Sequence, residues 1–399
     1  MSTLLGWIIF IVAISVSVIL HEFGHFATAK AFKMKATQFF MGFGPTLWSF
    51  RKGETEYGIK AIPAGGFVKI IGMTSVEEVA PEDEPRSFRQ HPGWQRVIVL
   101  VAGSTMHFLL ALVLLFMIPL FVGLQNGNTN TVGTVVTCVP KTNESACASG
   151  DPASAASKLG LRPGDQIVAL GGHPVHTWDQ FTSAIKKYKA GDEVAVTVQH
   201  GSTRFTKVVA LGQTLEYGTK TKVAFLGIAG TYVYQRTGPL RAITYSGGMF
   251  GQAVTETGDV VRDLPSAVGH LFAKNRAETS GADVTSIVGV GEITGQVVAQ
   301  SGVGWQAKAF EVLLIIVSVN IFIGLLNLLP LLPLDGGHVA VVLYERVRAW
   351  LARLRGRPDP GLVDMTKLVP VSLGVFAILI GFSLLLIYAD LVNPINLNQ

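Results

Sequence analysis

Charge is scarce in this chain. Asp, Glu, Lys and Arg make up 15% of its 399 residues against 49% hydrophobic residues, and the mean hydropathy is +0.43. That balance excludes a purely soluble fold and leaves a polytopic membrane protein carrying soluble parts. The first 29 residues contain neither lysine nor arginine, and neither does the tail from Ala389 to Gln399. An apolar start with no basic flank and no small-residue cleavage site is not a secretory signal, so it is expected to be retained. Cysteine is almost absent. Cys138 and Cys147 allow one bridge at most; in the external setting expected for them a bridge is favoured over two free thiols. No nucleic-acid signature is present, so nucleic acid is not an expected partner.

Long apolar runs fill the space that charge leaves. They cover Leu4 to Lys30, Val97 to Val122, Phe310 to Leu329 and Val369 to Ile387, each near the 20 or so residues that cross a bilayer. The expected fold is a polytopic α-helical membrane protein of about four transmembrane helices, with a membrane-associated β-hairpin region and an extracytoplasmic soluble domain. Lysine and arginine gather in two loops, residues 30–89 and 346–367. Positive-inside reasoning places both in the cytoplasm, leaves the two termini outside, and makes the stretch between the second and third spans extracytoplasmic. The net charge of +5 comes largely from these clusters, which would sit against anionic headgroups, so membrane lipids are expected partners.

These readings divide the chain. The first helix is 1–32, a cytoplasmic membrane-associated hairpin loop 33–95, and the second helix 96–123. An extracytoplasmic domain follows at 124–215, then an extracytoplasmic or interfacial connector with an amphipathic helix at 216–307. The third helix with its terminal motif is 308–340, a basic cytoplasmic loop 341–367, the fourth helix 368–389 and an external tail 390–399. In the hairpin loop, Thr46 to Phe50 and Glu56 to Ile62 read as strands about Lys52-Gly53. The flanking FFMGFG and PAGGF stretches, the latter with Gly65 and Gly66, give an edge that can add a strand to an extended substrate; a plain interfacial anchor is the alternative. The acidic run Glu77 to Glu84 reads as a solvated loop.

The first run ends in His21-Glu22-Phe23-Gly24-His25. Histidines four apart share one helix face and can bind one metal ion with the glutamate beside it. In zinc hydrolases of the H-E-x-x-H type the histidines hold Zn2+ and the glutamate takes a proton from the metal's water. Ionisable groups inside a span are costly, which favours this reading over a pair of interfacial histidines. Zinc needs a third protein ligand. The third run breaks into Asn327-Leu328-Leu329-Pro330-Leu331-Leu332-Pro333-Leu334-Asp335-Gly336-Gly337-His338, and Asp335 is the candidate, with His338 its rival. Asn327 has an amide for a substrate carbonyl, or merely caps the broken helix. In the second span, His107 reads as a hydrogen-bond donor in helix packing rather than as a ligand.

Ala155 to Ile167, with its GLRPGDQI segment, and the following Gly171-Gly172 resemble a PDZ domain, which implies a peptide ligand or substrate segment bound by strand addition. HEFGH, GFGP, PAGGFVKIIGM, that domain and NLLPLLPLDGGH together resemble the site-2 protease family of intramembrane zinc metalloproteases. Within it they resemble the bacterial PDZ-containing regulators of envelope stress, the actinobacterial branch most nearly. The resemblance implies a metalloendopeptidase of the bacterial cell membrane with zinc at His21, His25 and Asp335, Glu22 as general base, and substrate contacts at Asn327, Gly65 and Gly66. Its substrates would be single-span proteins, such as anti-sigma factors or remnant signal peptides, cut within the bilayer in regulated intramembrane proteolysis. One departure stands out: where many members carry GPxxN, this chain has Gly103-Ser104-Thr105-Met106-His107. The alternatives are a catalytically silent PDZ-based membrane binding protein and a metal transporter.

Overall fold

A computed structural model describes residues 2–73, 77–126, 129–140, 147–148, 150–215, 221–231, 233–267, 271, 285–300 and 303–393. The order of elements is α1 (Ser2–Ala31), β1 (Ala36–Lys52), β2 (Thr55–Ile70), α2 (Gly93–Met117), β3 (Leu124–Asn126), β4 (Val132–Val135), α3 (Ala155–Leu159), β5 (Gln166–Leu170), β6 (His173–Pro174), α4 (Trp178–Ile185), β7 (Glu193–His200), β8 (Thr203–Ala210), β9 (Gly212–Leu215), β10 (Lys222–Phe225), β11 (Ile228–Gly230), β12 (Val233–Gln235), α5 (Pro239–Ala267), α6 (Ile287–Ala299), α7 (Trp305–Asn327), α8 (Asp335–Leu354) and α9 (Val369–Val392). The chain divides into two compact units: residues 1–118 with 239–397, and residues 119–238.

The first unit is helical. Among the described residues, four helices are long and apolar enough to cross a membrane: Thr3–Ala31, Gly93–Val122, Trp305–Asn327 and Met365–Val392. These are the four expected runs, each extended by a few residues. Their outward faces keep large apolar side chains exposed, Leu4, Ile8 and Val12 on α1 and Leu373 and Ile378 on α9 among them, as helices bathed in lipid rather than water would. Where helices meet, side chains shrink. Gly6 of α1 lies so close to Gly295 of α6 that a Cβ there would come within 2.6 Å of its Cα, and Gly291 of α6 sits under the Trp7 ring. Small residues at helix crossings are the usual solution where lipid gives no hydrophobic push. Helix α6 thus packs on α1 through Gly291 and Gly295.

Between α1 and α2 the backbone makes one long hairpin, β1–β2, rather than two short strands. It folds back on itself: Gln38 to Met41 takes partners on both sides, Lys69 to Gly66 on one and Glu56 to Ile59 on the other. The far half, Thr46 to Lys52, pairs with Lys60 to Thr55. The sequence missed this because the glycines and Pro45 look like strand ends, whereas Gly42 and Gly44, at φ +88° and +83°, bend the strand without ending it. The acidic run is also tied down. Glu77 accepts from the Gly72 amide at 2.9 Å and pairs with Lys69, Asp83 pairs with Lys35, and Glu84 with Arg89.

The second unit is built on the four-stranded sheet β6-β5-β7-β8 with three two-stranded pairings beside it. Alternation in Glu193 to His200 sends Val194, Val196 and Val198 inward, where they join Ile167, Leu170, Leu159 and Phe181 in a dry core. Thr177 caps α4 by accepting from the Gln180 amide, and Ser154 caps α3 likewise. Cys138 and Cys147 are joined by a disulfide, with their Cα atoms 5.8 Å apart. In the connector, α5 runs over Pro239–Ala267.

Candidate active site

Helix α1 brings His21 and His25 to one face, their Nε2 atoms 3.1 Å apart. Leu334 ends the loop that follows α7, and Asp335 opens α8 with Oδ2 3.3 Å from His21 Nε2 and 3.4 Å from His25 Nε2. The loop approaches this tightly because Gly336 and Gly337 have no side chains; a Cβ on Gly336 would meet the Leu328 and Leu329 carbonyls at 2.3 Å. Two residues more than 300 positions apart from the third thereby share one small triangle.

His25 Nδ1–H donates to the Val99 carbonyl at 2.7 Å, which leaves Nε2 as a lone-pair donor aimed at the triangle. His21 Nδ1 is buried without a hydrogen-bond partner among the described residues. The donors are spaced as zinc would want: ligand bonds of about 2.0–2.1 Å in a tetrahedron put neighbouring ligand atoms about 3.3 Å apart. Two imidazole nitrogens and a carboxylate oxygen that converge in a largely buried triangle can share a proton or hold a cation, and the donor set fits a divalent metal. Three protein donors leave a fourth position for water or substrate. His338 is not part of the triangle.

Glu22 lies beside this group. The Val68 amide of β2 is within hydrogen-bonding reach of its carboxylate, and a Cβ on Gly66 would meet Glu22 Cγ at 3.0 Å. The hairpin therefore packs on the Glu22 side of α1, with Gly66 against Glu22. Gly65, at φ +133°, is held under the Phe43 ring instead. Phe67 to Ile70, Met73, Glu77 and His338 line a cavity of about 420 Å³ along the outer flank of the hairpin, where no further strand pairs among the described residues. Asn327 is the last residue of α7, half-buried, and its side chain makes no hydrogen bond with another described residue.

His107 donates from Nδ1 to Asn320 Oδ1 at 2.9 Å, and Asn320 in turn donates to the Ile316 carbonyl at 2.8 Å. This buried chain joins α2 to α7, the packing role read for His107, and its ring lies 5.0 Å from that of His21. The sequence points to Gly103 only as part of the Gly103–His107 stretch, with no role at the site, and gives no sign of the Val68 amide. A Cβ on Gly103 would come within 2.4 Å of His25 Nε2 and 2.5 Å of His21 Cε1. The signal available for it was a run of three small residues, Ala102-Gly103-Ser104, inside an apolar span.

The profile of peptidase family M50 matches residues 9–357. The zinc metalloprotease Rip1 of Mycobacterium tuberculosis is 36% identical over 411 aligned positions, which cover 99% of this chain and 99% of that one. Its counterpart of the same name in Mycolicibacterium smegmatis is also 36% identical, with 99% of each chain covered. Among solved structures, a PDZ domain of an SdrC-like protein from Listeria monocytogenes aligns with 26% of this chain and 88% of its own at 20% identity, with a TM-score of 0.18. Agreement from end to end with zinc metalloproteases favours hydrolysis over silent binding or metal transport, and the chain belongs to peptidase family M50, the site-2 protease family of intramembrane zinc metalloproteases.

Proposed function

We propose that His21, His25 and Asp335 hold the zinc ion, that Glu22 is the general base, and that the substrate is a transmembrane segment of a single-span protein. The observation that carries the ligand set is the triangle of 3.1, 3.3 and 3.4 Å among three donor atoms from two helices. Bound there, zinc supplies Lewis-acid polarisation of a peptide carbonyl and makes a water molecule acidic near neutral pH. Glu22 takes the proton of the attacking water and can return it to the leaving amine.

A helical substrate hides its own peptide bonds, since every backbone group is paired internally. The outer flank of the hairpin, Gly66 to Ile70, gives an unwound segment an edge on which to pair beside Glu22. Asn327, Gly65 and Gly66 are assigned to substrate contact; Gly66 has the better-supported position because it lies against Glu22. The second unit is read as a PDZ domain that takes a peptide or a substrate segment. Its helix α4 and the segment Thr221 to Ala229 flank a groove of about 570 Å³, the sort of place where strand addition occurs. By the distribution of lysine and arginine, the hairpin loop and residues 341–367 face the cytoplasm, while both termini and the second unit are extracytoplasmic in a bacterial cell membrane. Remnant signal peptides and anti-sigma factors are substrates of the kind this architecture suits.

The test is zinc per chain, by elemental analysis of detergent-purified wild type and Asp335→Ala, alongside cleavage of a single-span substrate. About one zinc in the wild type, with metal and cleavage both lost in the variant, is expected. Full zinc and activity in Asp335→Ala would move the third ligand elsewhere, to His338 first.

A further inference from the structure

Helix α8 has two apolar faces, and only one of them is covered by other described residues. Val342, Glu345 and Ala349 turn inward and are buried. On the far side Leu343, Val347, Trp350 and Leu354 recur at intervals of four, three and four residues, each more than half exposed, and so form a single outward stripe along a helix about 30 Å long. Arg346 and Arg353 border that stripe on one side and Arg355, just past the last turn, on the other, while Arg348 folds onto the Pro360 and Gly361 carbonyls. The helix carries two acidic residues, Asp335 in the metal triangle and Glu345 in its buried face, so every exposed charge on it is positive.

A soluble surface does not expose such a stripe. Apolar residues on one line with arginines along both borders are the pattern of a helix lying in the plane of a membrane interface, its apolar residues at the acyl boundary and its cations reaching to the headgroups. The position in the chain agrees, since α8 follows one helix of spanning length and precedes another. Negative charge is what the exposed Arg346, Arg353 and Arg355 would recruit, Arg348 being taken up by the Pro360 and Gly361 carbonyls.

We infer that α8 lies in an anionic phospholipid leaflet as an interfacial helix, and that this contact holds Asp335, its first residue, against His21 and His25. The second clause rests on the zinc-site reading above. The first does not. A helix pinned along its length by the leaflet cannot roll or tilt, and a roll would carry Asp335 away from the two imidazoles at the other edge of the triangle.

The full-length protein is placed in phosphatidylcholine vesicles with and without about one-third phosphatidylglycerol, each prepared with acyl-brominated lipid as a contact quencher. Comparing wild type with Trp350→Phe isolates the emission of Trp350. That emission is expected to be quenched by the brominated chains. Cleavage of a single-span substrate is expected to be about five-fold or more faster in the anionic vesicles, an advantage that Arg346→Gln/Arg353→Gln/Arg355→Gln should lose. Unquenched Trp350 emission overturns the proposal, because the stripe then faces water, a second copy or another protein. Equal cleavage in both vesicles with quenching intact overturns the link to Asp335 alone. Quenching requires no proteolysis, so failure of the protease reading would leave that measurement standing.

Discussion

Gly103 of α2 and His25 of α1 are so close that a single added carbon would not fit: a Cβ at position 103 would stand 2.4 Å from His25 Nε2. The second span thus forms the back wall of the metal triangle with a bare backbone. Gly103→Ala is expected to push both imidazoles out of register, since His21 Cε1 is met at 2.5 Å by the same carbon. Apparent zinc affinity should fall about ten-fold or more, as when other groups that orient ligands are disturbed. Zinc titration with a competing chelator reads this directly, with the far-ultraviolet dichroism of the helices unchanged.

Glu22 lies against Gly66 of the hairpin and is not one of the three residues of the His21–His25–Asp335 triangle, so its proposed chemistry can be separated from metal retention. Glu22→Gln keeps the size and the contact with Gly66 but can no longer take a proton. Cleavage of a single-span substrate should drop by a factor on the order of 10² to 10⁴, while zinc per chain stays near that of the wild type. Retained cleavage in this variant would refute the assigned base.

The convergence of the proposed site residues was legible because they carry chemistry that a membrane span does not tolerate idly. His21, Glu22 and His25 declare themselves by spacing inside an apolar run, and Asp335 by sitting between a proline break and two glycines. What stayed hidden was what neighbouring elements contribute through absence or through backbone. Gly103 works by having no side chain, and Val68 through an amide that every residue has. The hairpin was found, but its fold-back was not, since pairing of Phe40 with both Phe67 and Gly58 depends on a bend and leaves no periodic trace. The outward stripe of α8 was in the sequence all along. It could not be told from a core face until Val342, Glu345 and Ala349 were seen to be the buried ones.

Glu54 stands in the tip of the hairpin between two cations. Both Nη atoms of Arg86 donate to its carboxylate at 2.8 Å, and the Lys30 ammonium pairs with it too. Arg86 above all, with Lys30, holds the Glu54 carboxyl at about 2, below the ordinary 4.5. A depressed carboxyl pKa stabilises the fold in full above the unfolded value and loses that contribution as pH falls through the folded one. Between about pH 4.5 and 2, the ties from the hairpin tip to the end of α1 and to Arg86 should therefore weaken. Amide hydrogen exchange around Thr55 should quicken across that window in the wild type, after correction for intrinsic rates. In Glu54→Gln it should be fast already at pH 6 and show no further step.

Arg96 and Glu345 tie α2 to α8, ten residues along the helix from Asp335. Arg96 Nη1 donates to Glu345 Oε2 at 2.8 Å, the two side chains are 11% and 9% exposed, and the other carboxylate oxygen accepts from the Val363 amide at 2.8 Å. Removing one partner of such a pair strands the other charge in a poorly solvated place. Arg96→Met should therefore cost about 3–5 kcal/mol, whereas Arg96→Met/Glu345→Leu, which removes both charges, should recover much of that loss. Thermal unfolding of the three proteins in one detergent orders them. Because Glu345 lies on the helix that Asp335 begins, zinc should also be held less tightly in Arg96→Met than in the double variant. Equal zinc affinity in the two would mean that the α2–α8 tie steadies the fold without setting the position of Asp335.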